Sequence, residues 1–492
     1  MPRIANIAAK AAIFCTIAFM LLILYQNIEV VIESESYGVF GWLGAVTAVF
    51  GILILFTNFV SSEKIYIILI LAASLFCRLC FALLVQTPID GDFLLIYNAA
   101  KDVIAGNKSW LEKPFFSNWG YLVPYVYYEA LILKLFGSDF ALKLLNIAFM
   151  VATNMLVYLV SRKLTSPRNA FIAALFYAVY PAPVLLSTVL TNQHISLMFF
   201  MLSVYFYIDA DSSRNHALLS GLFLFLGNLM RPEAIVIIAA MVIHTLVKTA
   251  GNPEWIHIKN KLSGTLTVLA VFTVLTGLSA ALFRVTGAAP HGISNNRPEW
   301  KFVLGLDTDS KGVYNEEYAY ILSISDSELR EKEAEKIISE SLRKCNSISL
   351  FFLEKSKTMW ANMETDSWSL RHIQKDRPVW EQYPDFTYKK VIDNIIYFDK
   401  AVYILLHILT IIGCIILLIT PVSRRHGEFF FVILLLVNYT VYLFIEIQTR
   451  YRYFIMPFFF ILAASALKEK QGKEEPPVSI SGQDNSNIPV YN

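Results

Sequence analysis

Long apolar runs separated by short polar segments fill most of the chain. A run of about 20 apolar residues is long enough to cross the roughly 30 Å hydrocarbon core of a membrane as a helix. Such runs occur at residues 11–30, 38–58, 64–86, 140–161, 169–186, 191–208, 216–230, 233–248, 262–284, 397–420, 428–446 and 451–467. The pattern therefore predicts an all-α polytopic membrane protein with about 12 transmembrane helices.

One further apolar segment, residues 121–136, has a different character. It is short, contains four tyrosines, and carries Pro124, Glu129 and Lys134. Tyrosines mixed with a few charges are typical of a helix that lies at the membrane surface. We therefore expect a juxtamembrane helix here and not a span.

The positions of the basic residues predict the orientation of the bundle. Lys and Arg concentrate on the cytoplasmic side of membrane proteins. With 121–136 at the surface and the N-terminus inside, the following clusters all fall inside: Arg162, Lys163 and Arg168; Lys248, Lys259 and Lys261; Arg424 and Arg425; Lys468, Lys470 and Lys473. The same arrangement puts both termini in the cytoplasm and two large segments, 87–139 and 285–396, outside.

These boundaries divide the chain into five regions. They are two additional N-terminal membrane helices (1–63), a membrane core that includes the outer loop 87–139 (64–284), an extracytoplasmic loop domain (285–396), C-terminal membrane helices (397–468) and a disordered cytoplasmic tail (469–492). Within the loop domain, Ser325 followed three residues later by Glu328 predicts a capped helix through residue 344.

Composition supports the membrane assignment. Apolar residues make up 56% and charged residues 16% of the chain, whereas soluble domains average about 45–50% and about 25%. The net charge of +2 excludes a nucleic-acid binder, which would carry a strong basic excess. The sequence also lacks the glycine-rich and HExxH motifs of nucleotide and zinc sites.

The first candidate site follows the third predicted span. Asp90 and Asp92 flank Gly91, which permits a tight turn that brings both carboxylates to one side. Either carboxylate could act as a general base or ligate a cation. Alternatively, Asp92 caps an amphipathic helix that begins at Phe93 and extends to residue 105, a common role for aspartate. Spacing alone does not separate these two interpretations.

Further ionisable residues from distant parts of the chain fall on the same predicted outer face. They are Arg231, Glu233, His194, Glu446, Arg450 and Arg452. Each could instead have a structural role, because arginines snorkel to lipid headgroups and polar groups satisfy neighbouring helix ends. Arg78 lies deeper in the third span, where a charge needs a buried partner or a lipid phosphate.

Several segments together resemble the GT-C superfamily of polytopic glycosyltransferases, in the branch of the protein O-mannosyltransferases and the aminoarabinose transferase of lipid A. PIDGDFLLIYNAAKDVIAGN is similar to its first outer loop, LGNLMRPEAIVII to its "RPE" turn and RYRYFIMPFFFILAASAL to its last span. When Tyr97 and Ala100 are aligned with the corresponding residues of the family's first outer loop, Asp92 falls at the position of the family's catalytic aspartate. Asn192 and Gln193 replace an acidic residue of the family.

The resemblance implies a GT-C-like bundle that transfers a sugar, with inversion, from a polyprenyl-phosphate carrier to a hydroxyl of a lipid, glycan or protein. It implies Asp92 or Asp90 as catalytic residue and Arg450, Arg452 and Arg231 as ligands of the donor phosphate. The other candidates for substrate binding are Tyr97, His194, Glu233, Glu446 and Arg78. No cofactor is certain, although Asp90 and Asp92 could hold a divalent ion. The expected location is the plasma membrane of a bacterium, with the site on the extracytoplasmic face.

Three other functions are compatible with parts of the sequence. A transporter or flippase of lipid-linked sugars would need polar groups at the middle of the membrane and gates on both sides, whereas the candidates here cluster outside. A catalytically inactive structural partner is expected to lack the loop carboxylates, whereas Asp90 and Asp92 are present here. A glycan ligase or polymerase with a pyrophosphate-linked donor belongs to the same enzyme class.

Overall fold

The computed structural model describes residues 2–60, 62–251, 255–363, 368–420 and 426–467. The predicted cytoplasmic residues Arg424, Arg425, Lys468, Lys470 and Lys473, and the predicted tail 469–492, lie outside the described residues. The described part of the chain is helical, apart from loops and isolated β-bridges.

The helices are numbered in chain order. The first group comprises α1 (Pro2–Glu33), α2 (Gly38–Phe56), α3 (Glu63–Leu84), α4 (Gly91–Ile104), α5 (Pro114–Asn118), α6 (Val123–Phe136), α7 (Asp139–Leu164), α8 (Pro167–Val179), α9 (Pro181–Leu186) and α10 (Gln193–Tyr207). The second group comprises α11 (Arg214–Met230), α12 (Ala234–Gly251), α13 (Trp255–Val285), α14 (Pro298–Gly305), α15 (Ser327–Lys344), α16 (Ile348–Trp360), α17 (Tyr388–Ile419), α18 (His426–Phe444) and α19 (Arg452–Ala464). Short 3₁₀ segments span Ser109–Glu112, Gly120–Leu122, Glu316–Ser323 and Thr449–Tyr451.

The predicted all-α polytopic fold is confirmed. Among the described residues, seven helices are long and apolar enough to cross a membrane: α1, α2, α3, α7, α13, α17 and α18. The other five predicted spans are also helical, but their main helices have only 13 to 18 residues. These shorter helices pack between the long ones.

The predicted span 169–186 is broken into two helices. Pro181 lacks an N–H and disfavours helical geometry in the residue before it. Tyr180 accordingly takes φ −63° and ψ 122°, and α9 restarts with Pro181 as its first residue. The break leaves the last carbonyls of α8 inside the bundle, where they need donors.

The first outer loop folds into juxtamembrane helices, as predicted. α6 has 14 residues, too few to span about 30 Å. It packs against α4 and α7, and Trp110 and Phe116 complete a hydrophobic cluster between these elements. This cluster fixes the orientation of α4, whose first turn carries Asp92.

The helix predicted in the second outer segment is present, but its predicted cap is wrong. α15 begins at Ser327, and Asp326 is the residue before it. The Asp326 side chain accepts a hydrogen bond from Leu329 N at 3.0 Å, which an aspartate does as well as a serine. Glu328 consequently lies in the first turn and pairs with Lys332 at 2.8 Å, so the box with Ser325 does not form.

The N-terminal helix is integrated into the bundle. α1 contacts α12, α17 and α18, and its C-terminal end also contacts α16. Gln26 Nε2 donates to Leu353 O at 2.9 Å, and Lys357 bridges to Glu29 and Glu33 at 2.8 Å each. α1 therefore positions the helix that leads into the loop before α17.

Close backbone packing at Gly305 gives a first prediction. A Cβ at Gly305 would overlap the backbone of Phe444 and Ile445 at the end of α18. We expect Gly305→Ala to lower the free energy of unfolding by about 1–3 kcal/mol, seen as a lower melting temperature of the detergent-solubilised protein. Gly277→Ala is the matched control, since nothing lies within 4 Å of a Cβ there. Equal melting temperatures for the two variants would contradict this packing.

Candidate active site

The turn between α3 and α4 separates the two candidate carboxylates. Gly91 adopts φ +55°, a conformation that glycine takes without strain. α4 begins at Gly91, so Asp90 occupies the position before the helix and Asp92 lies in the first turn. The interpretation of Asp92 as the cap of a helix starting at Phe93 is therefore wrong, because the helix starts two residues earlier.

Asp90 is held by an arginine that sequence analysis missed. Arg371 donates Nε to Asp90 Oδ2 at 3.1 Å and Nη2 to Asp90 Oδ1. The guanidinium of Arg371 also stacks on Trp368 at 3.9 Å, and Trp368 meets Phe93 edge-on at 5.1 Å. The segment that follows residue 367 thus lies over the start of α4, and both oxygens of Asp90 are occupied.

Asp92, in contrast, is exposed. Its carboxylate has no hydrogen bond or ion pair with any described residue. Tyr314, from the second outer segment, lies within electrostatic range: burial, followed by the charges of Glu316 and Asp92, raises the pKa of Tyr314. Of the two carboxylates, Asp92 is the one whose oxygens remain available.

Arg450 lies next to the aromatic side chains at the start of α4. Its guanidinium is 5.4 Å from the Phe93 ring and 4.9 Å from the Trp368 ring. Nε donates to Gln448 Oε1 at 2.7 Å, which fixes the plane of the group. Neither Nη atom donates a hydrogen bond to a described residue, so the forked end of Arg450 is available to an anion.

Arg231 and Glu233 pair with each other. Arg231 Nε lies 2.5 Å from Glu233 Oε1, and Arg231 Nη1 donates to Asn192 Oδ1 at 3.2 Å. The guanidinium is 5.5 Å from the Tyr451 ring. Burial opposes the charge, but Glu233 and Tyr451 raise the pKa of Arg231 above its ordinary value. Arg231 is thus close to the turn between α18 and α19, and its charge is balanced by Glu233.

The negative charge of Glu446 is likewise balanced by a neighbouring side chain. It is paired with Lys301 of α14, another residue that sequence analysis did not identify. Gln448 Nε2 donates to Glu446 Oε1 at 2.9 Å and so links this pair to Arg450. The turn 446–450 is therefore held by a chain of side-chain contacts from Lys301 through Glu446 and Gln448 to Nε of Arg450.

Arg452 is buried and lines a cleft behind Arg450. Its Nε donates to Thr449 O at 3.2 Å and its Nη1 to Trp360 O at 3.4 Å. The cleft is lined by Tyr180, Ala182, Pro183, Leu186, Thr449, Arg450, Arg452, Tyr453 and Met456. Two of the three predicted phosphate ligands thus share one cavity, while Arg231 lies beside it.

Arg78 and His194 have structural partners at the broken helix. Arg78 donates Nη1 to Ala178 O at 3.0 Å, in the last turn of α8. His194 contacts Leu186 O through Nε2 at 3.1 Å and Tyr453 Oη through Nδ1 at 2.8 Å. Both side chains are fully buried. Arg78 serves the carbonyl end of α8 at the break, whereas His194 contacts Leu186 and Tyr453, two residues that line the cleft. Their predicted roles in substrate binding stay predictions.

Tyr97 lies apart from the arginines. It is half-buried on α4, with Lys101 Nζ 4.4 Å from its ring centroid, and packs in the cluster between α4 and α6. Its predicted role in substrate binding stays a prediction.

The residues present do not form a complete divalent-cation site. Among the described residues, no three His, Cys, Asp or Glu side chains are grouped as ligands. Asp90 already accepts the guanidinium of Arg371, which leaves one free carboxylate, whereas a hard cation takes six or more oxygens.

Two comparisons with known proteins find similarities. Residues 123–276 match the model of the dolichyl-phosphate-mannose-protein mannosyltransferase family. The structure is similar to the archaeal oligosaccharyltransferase AglB from Archaeoglobus fulgidus, solved in complex with an inhibitory peptide and a dolichol-phosphate. That match has a TM-score of 0.50 and 13% sequence identity, and covers 82% of this chain and 50% of AglB.

At this identity the AglB match establishes the fold alone, and this chain spans about half the length of AglB. No curated protein matches the sequence. Together, the family match and the fold confirm the predicted resemblance to the GT-C superfamily and support the predicted enzyme class, a glycosyltransferase.

Proposed function

We propose that the protein is a membrane glycosyltransferase that moves a sugar from a polyprenyl-phosphate carrier to a hydroxyl acceptor. One observation carries the proposal: Asp92, whose carboxylate has no partner among the described residues, adjoins Phe93 in the first turn of α4, and the guanidinium of Arg450 lies 5.4 Å from the Phe93 ring. The family match and the AglB fold support it, since the former names a dolichyl-phosphate-mannose donor and the latter was solved with a dolichol-phosphate.

The chemistry needs one base and one anion site. Asp92 accepts the proton of the acceptor hydroxyl while the hydroxyl oxygen attacks the anomeric carbon, a contribution of about 10²–10⁴ to the rate. The bond from the anomeric carbon to the phosphate oxygen breaks, and the electron pair leaves with the phosphate. Attack opposite the leaving group inverts the anomeric configuration.

Arg450 stabilises the leaving group. Negative charge grows on the phosphate oxygens as the bond breaks, and a forked guanidinium donates two parallel hydrogen bonds to such oxygens. Phe93, Trp368 and Tyr451 surround the guanidinium. Their apolar faces keep water away and so strengthen the interaction.

The site lies at one end of the bundle, opposite the basic residues predicted to be cytoplasmic. α3 runs from Glu63 to Leu84 and leads into Asp90, while Glu63 pairs with Arg162 at 3.2 Å. A helix of 22 residues is about 33 Å long, so Arg162 is about one membrane thickness from Asp90. This separation supports a site on the extracytoplasmic face, and the plasma membrane of a bacterium stays a prediction.

The similar proteins suggest which class of acceptor to test first. The matched family acts on proteins and AglB was solved with a peptide, so a protein hydroxyl is the first acceptor to test. Lipid and glycan hydroxyls are the alternatives, and the exposed carboxylate of Asp92 is accessible to each of them.

A donor assay tests the proposal. Purified protein in liposomes is supplied with either a polyprenyl-phosphate sugar or the matching nucleotide sugar, together with membrane-protein, lipid and glycan acceptors. We expect release of polyprenyl phosphate and labelled product only from the lipid-linked donor. Turnover of the nucleotide sugar without a lipid carrier would contradict the proposal. Movement of intact donor across the bilayer without transfer would favour a flippase.

A further inference from the structure

Two adjacent, oppositely charged residues are buried in the long apolar helix α17. Asp399 is 4% exposed and Lys400 is 2% exposed. Ionisable groups in a membrane-embedded helix are costly and have specific partners or a function. Neither residue belongs to the reaction described above.

Lys400 has a structural role. Its ammonium donates to Asn27 Oδ1 at 2.7 Å, Ala361 O at 2.9 Å and Asn362 O at 3.1 Å. Three acceptors match the three hydrogens of an ammonium group, so Lys400 ties α17 to α1 and to the end of α16.

Asp399 faces the cleft wall instead. Its Oδ1 accepts a hydrogen bond from Ala182 N at 3.0 Å, in the first turn of α9. Arg452 and the adjacent Lys400 both lie within electrostatic range of its carboxylate. Ala182 and Arg452 both line the cleft that contains Arg450. Asp399 thus lies directly behind two walls of the cleft without reaching its interior.

The charge of the cleft matters because the substrate and product differ in charge. A sugar phosphodiester carries one negative charge, whereas the polyprenyl phosphate that remains after transfer carries up to two, with a second pKa near 6. Cationic groups therefore hold the product more tightly than the donor. Glu233 and Glu446 are already paired with Arg231 and Lys301, which leaves Asp399 to offset the charge behind the cleft.

We propose that Asp399 is a positioning residue that holds α9 and Arg452 in place and whose charge weakens retention of the product phosphate. The inference rests on the proposed function and adds a control on product release. It acts through Arg452 and through the potential in the cleft, not through contact with the substrate.

Asp399→Asn separates the charge from the hydrogen bond, because asparagine keeps an Oδ1 acceptor for Ala182 N. We expect polyprenyl monophosphate to bind the purified variant about tenfold more tightly than the wild type, the order of effect of one nearby unit charge in a protein. The variant should also show a lower kcat and a lower donor KM. A merely structural role would weaken binding and raise KM.

Controls keep the test decisive. Asp393→Asn, on the outer part of the same helix, should leave affinity unchanged, and Asp399→Glu should restore wild-type affinity. If Asp399→Asn does not fold, Asp399→Ser offers a hydroxyl acceptor without the charge and has the same expected result. A folded uncharged variant that binds polyprenyl monophosphate no more tightly than wild type overturns this inference alone. A folded wild type that does not bind it overturns the proposed function as well.

Discussion

Asp92→Asn is expected to reduce turnover by about 10²-fold or more while leaving donor binding nearly intact. Asparagine has the size of aspartate but cannot accept the proton of the acceptor hydroxyl. Asp92 makes no hydrogen bond or ion pair with the described residues, so the substitution removes no contact that supports the fold. Steady-state kinetics and the Kd for polyprenyl phosphate, measured on the same preparation, separate the two effects.

Two matched variants complete this experiment. Asp102→Asn, on the same helix, should be active, since Asp102 pairs only with Asn107 at 3.2 Å. Asp90→Asn removes the charge that Arg371 binds and should loosen the segment over α4, with a smaller loss of turnover. If Asp92→Asn transfers sugar at the native rate while Asp90→Asn is inactive, the two roles are exchanged. If both variants transfer sugar normally, the catalytic assignment fails.

Arg450→Lys is expected to weaken donor binding and turnover by about 10- to 100-fold although the charge is retained. Lysine offers a point charge in place of the planar fork, and charge-assisted hydrogen bonds are worth about 1.5–3 kcal/mol. The loss should appear in kcat/KM for the lipid-linked donor. Arg284→Lys, on the exposed last turn of α13, is the control and should behave as wild type.

The same substitution at the other arginines has a different expected signature. Arg231 is paired with Glu233, and Arg452 donates to Trp360 O and Thr449 O. Their lysine variants should therefore lose stability together with activity, whereas Arg450→Lys should lose activity alone. Unchanged kinetics for all three lysine variants would return these arginines to an anchoring role at the lipid headgroups.

Apolar run length predicted the fold well because it depends on local sequence. Every predicted span contains a helix, and the juxtamembrane nature of α6 followed from its length and tyrosines. The break at Pro181 was visible in the sequence, yet the predicted span 169–186 ran across it. A proline preceded by an extended residue ends a helix even where hydropathy stays high.

The candidate site was only partly predictable. Sequence analysis identified Asp90, Asp92 and Arg450, but the difference between the carboxylates depends on Arg371, which is 281 residues from Asp90 along the chain. No local pattern marks such a pairing. The substrate-binding roles of Arg78 and His194 stay predictions, and their hydrogen bonds to the carbonyls of Ala178 and Leu186 could be known only from the tertiary structure.

One sequence signal, a pair of adjacent charges in a predicted span, had no role in the sequence-based prediction. Asp399 and Lys400 interrupt the apolar run YFDKAVYILL, and adjacent charges in a membrane segment point to a specific role. Their separate functions, one behind the cleft and one at the end of α16, could be assigned only from their hydrogen-bond partners.

A structure of the protein with a non-hydrolysable polyprenyl phosphonate sugar would show whether Arg450 and Asp92 face the donor. We expect phosphonate oxygens at about 2.7–2.9 Å from the Nη atoms of Arg450, with the anomeric carbon on the side of Asp92 and Asp90 still bound to Arg371. A phosphonate bound away from Arg450, or an anomeric carbon facing Asp90 with Asp92 turned away, would contradict it.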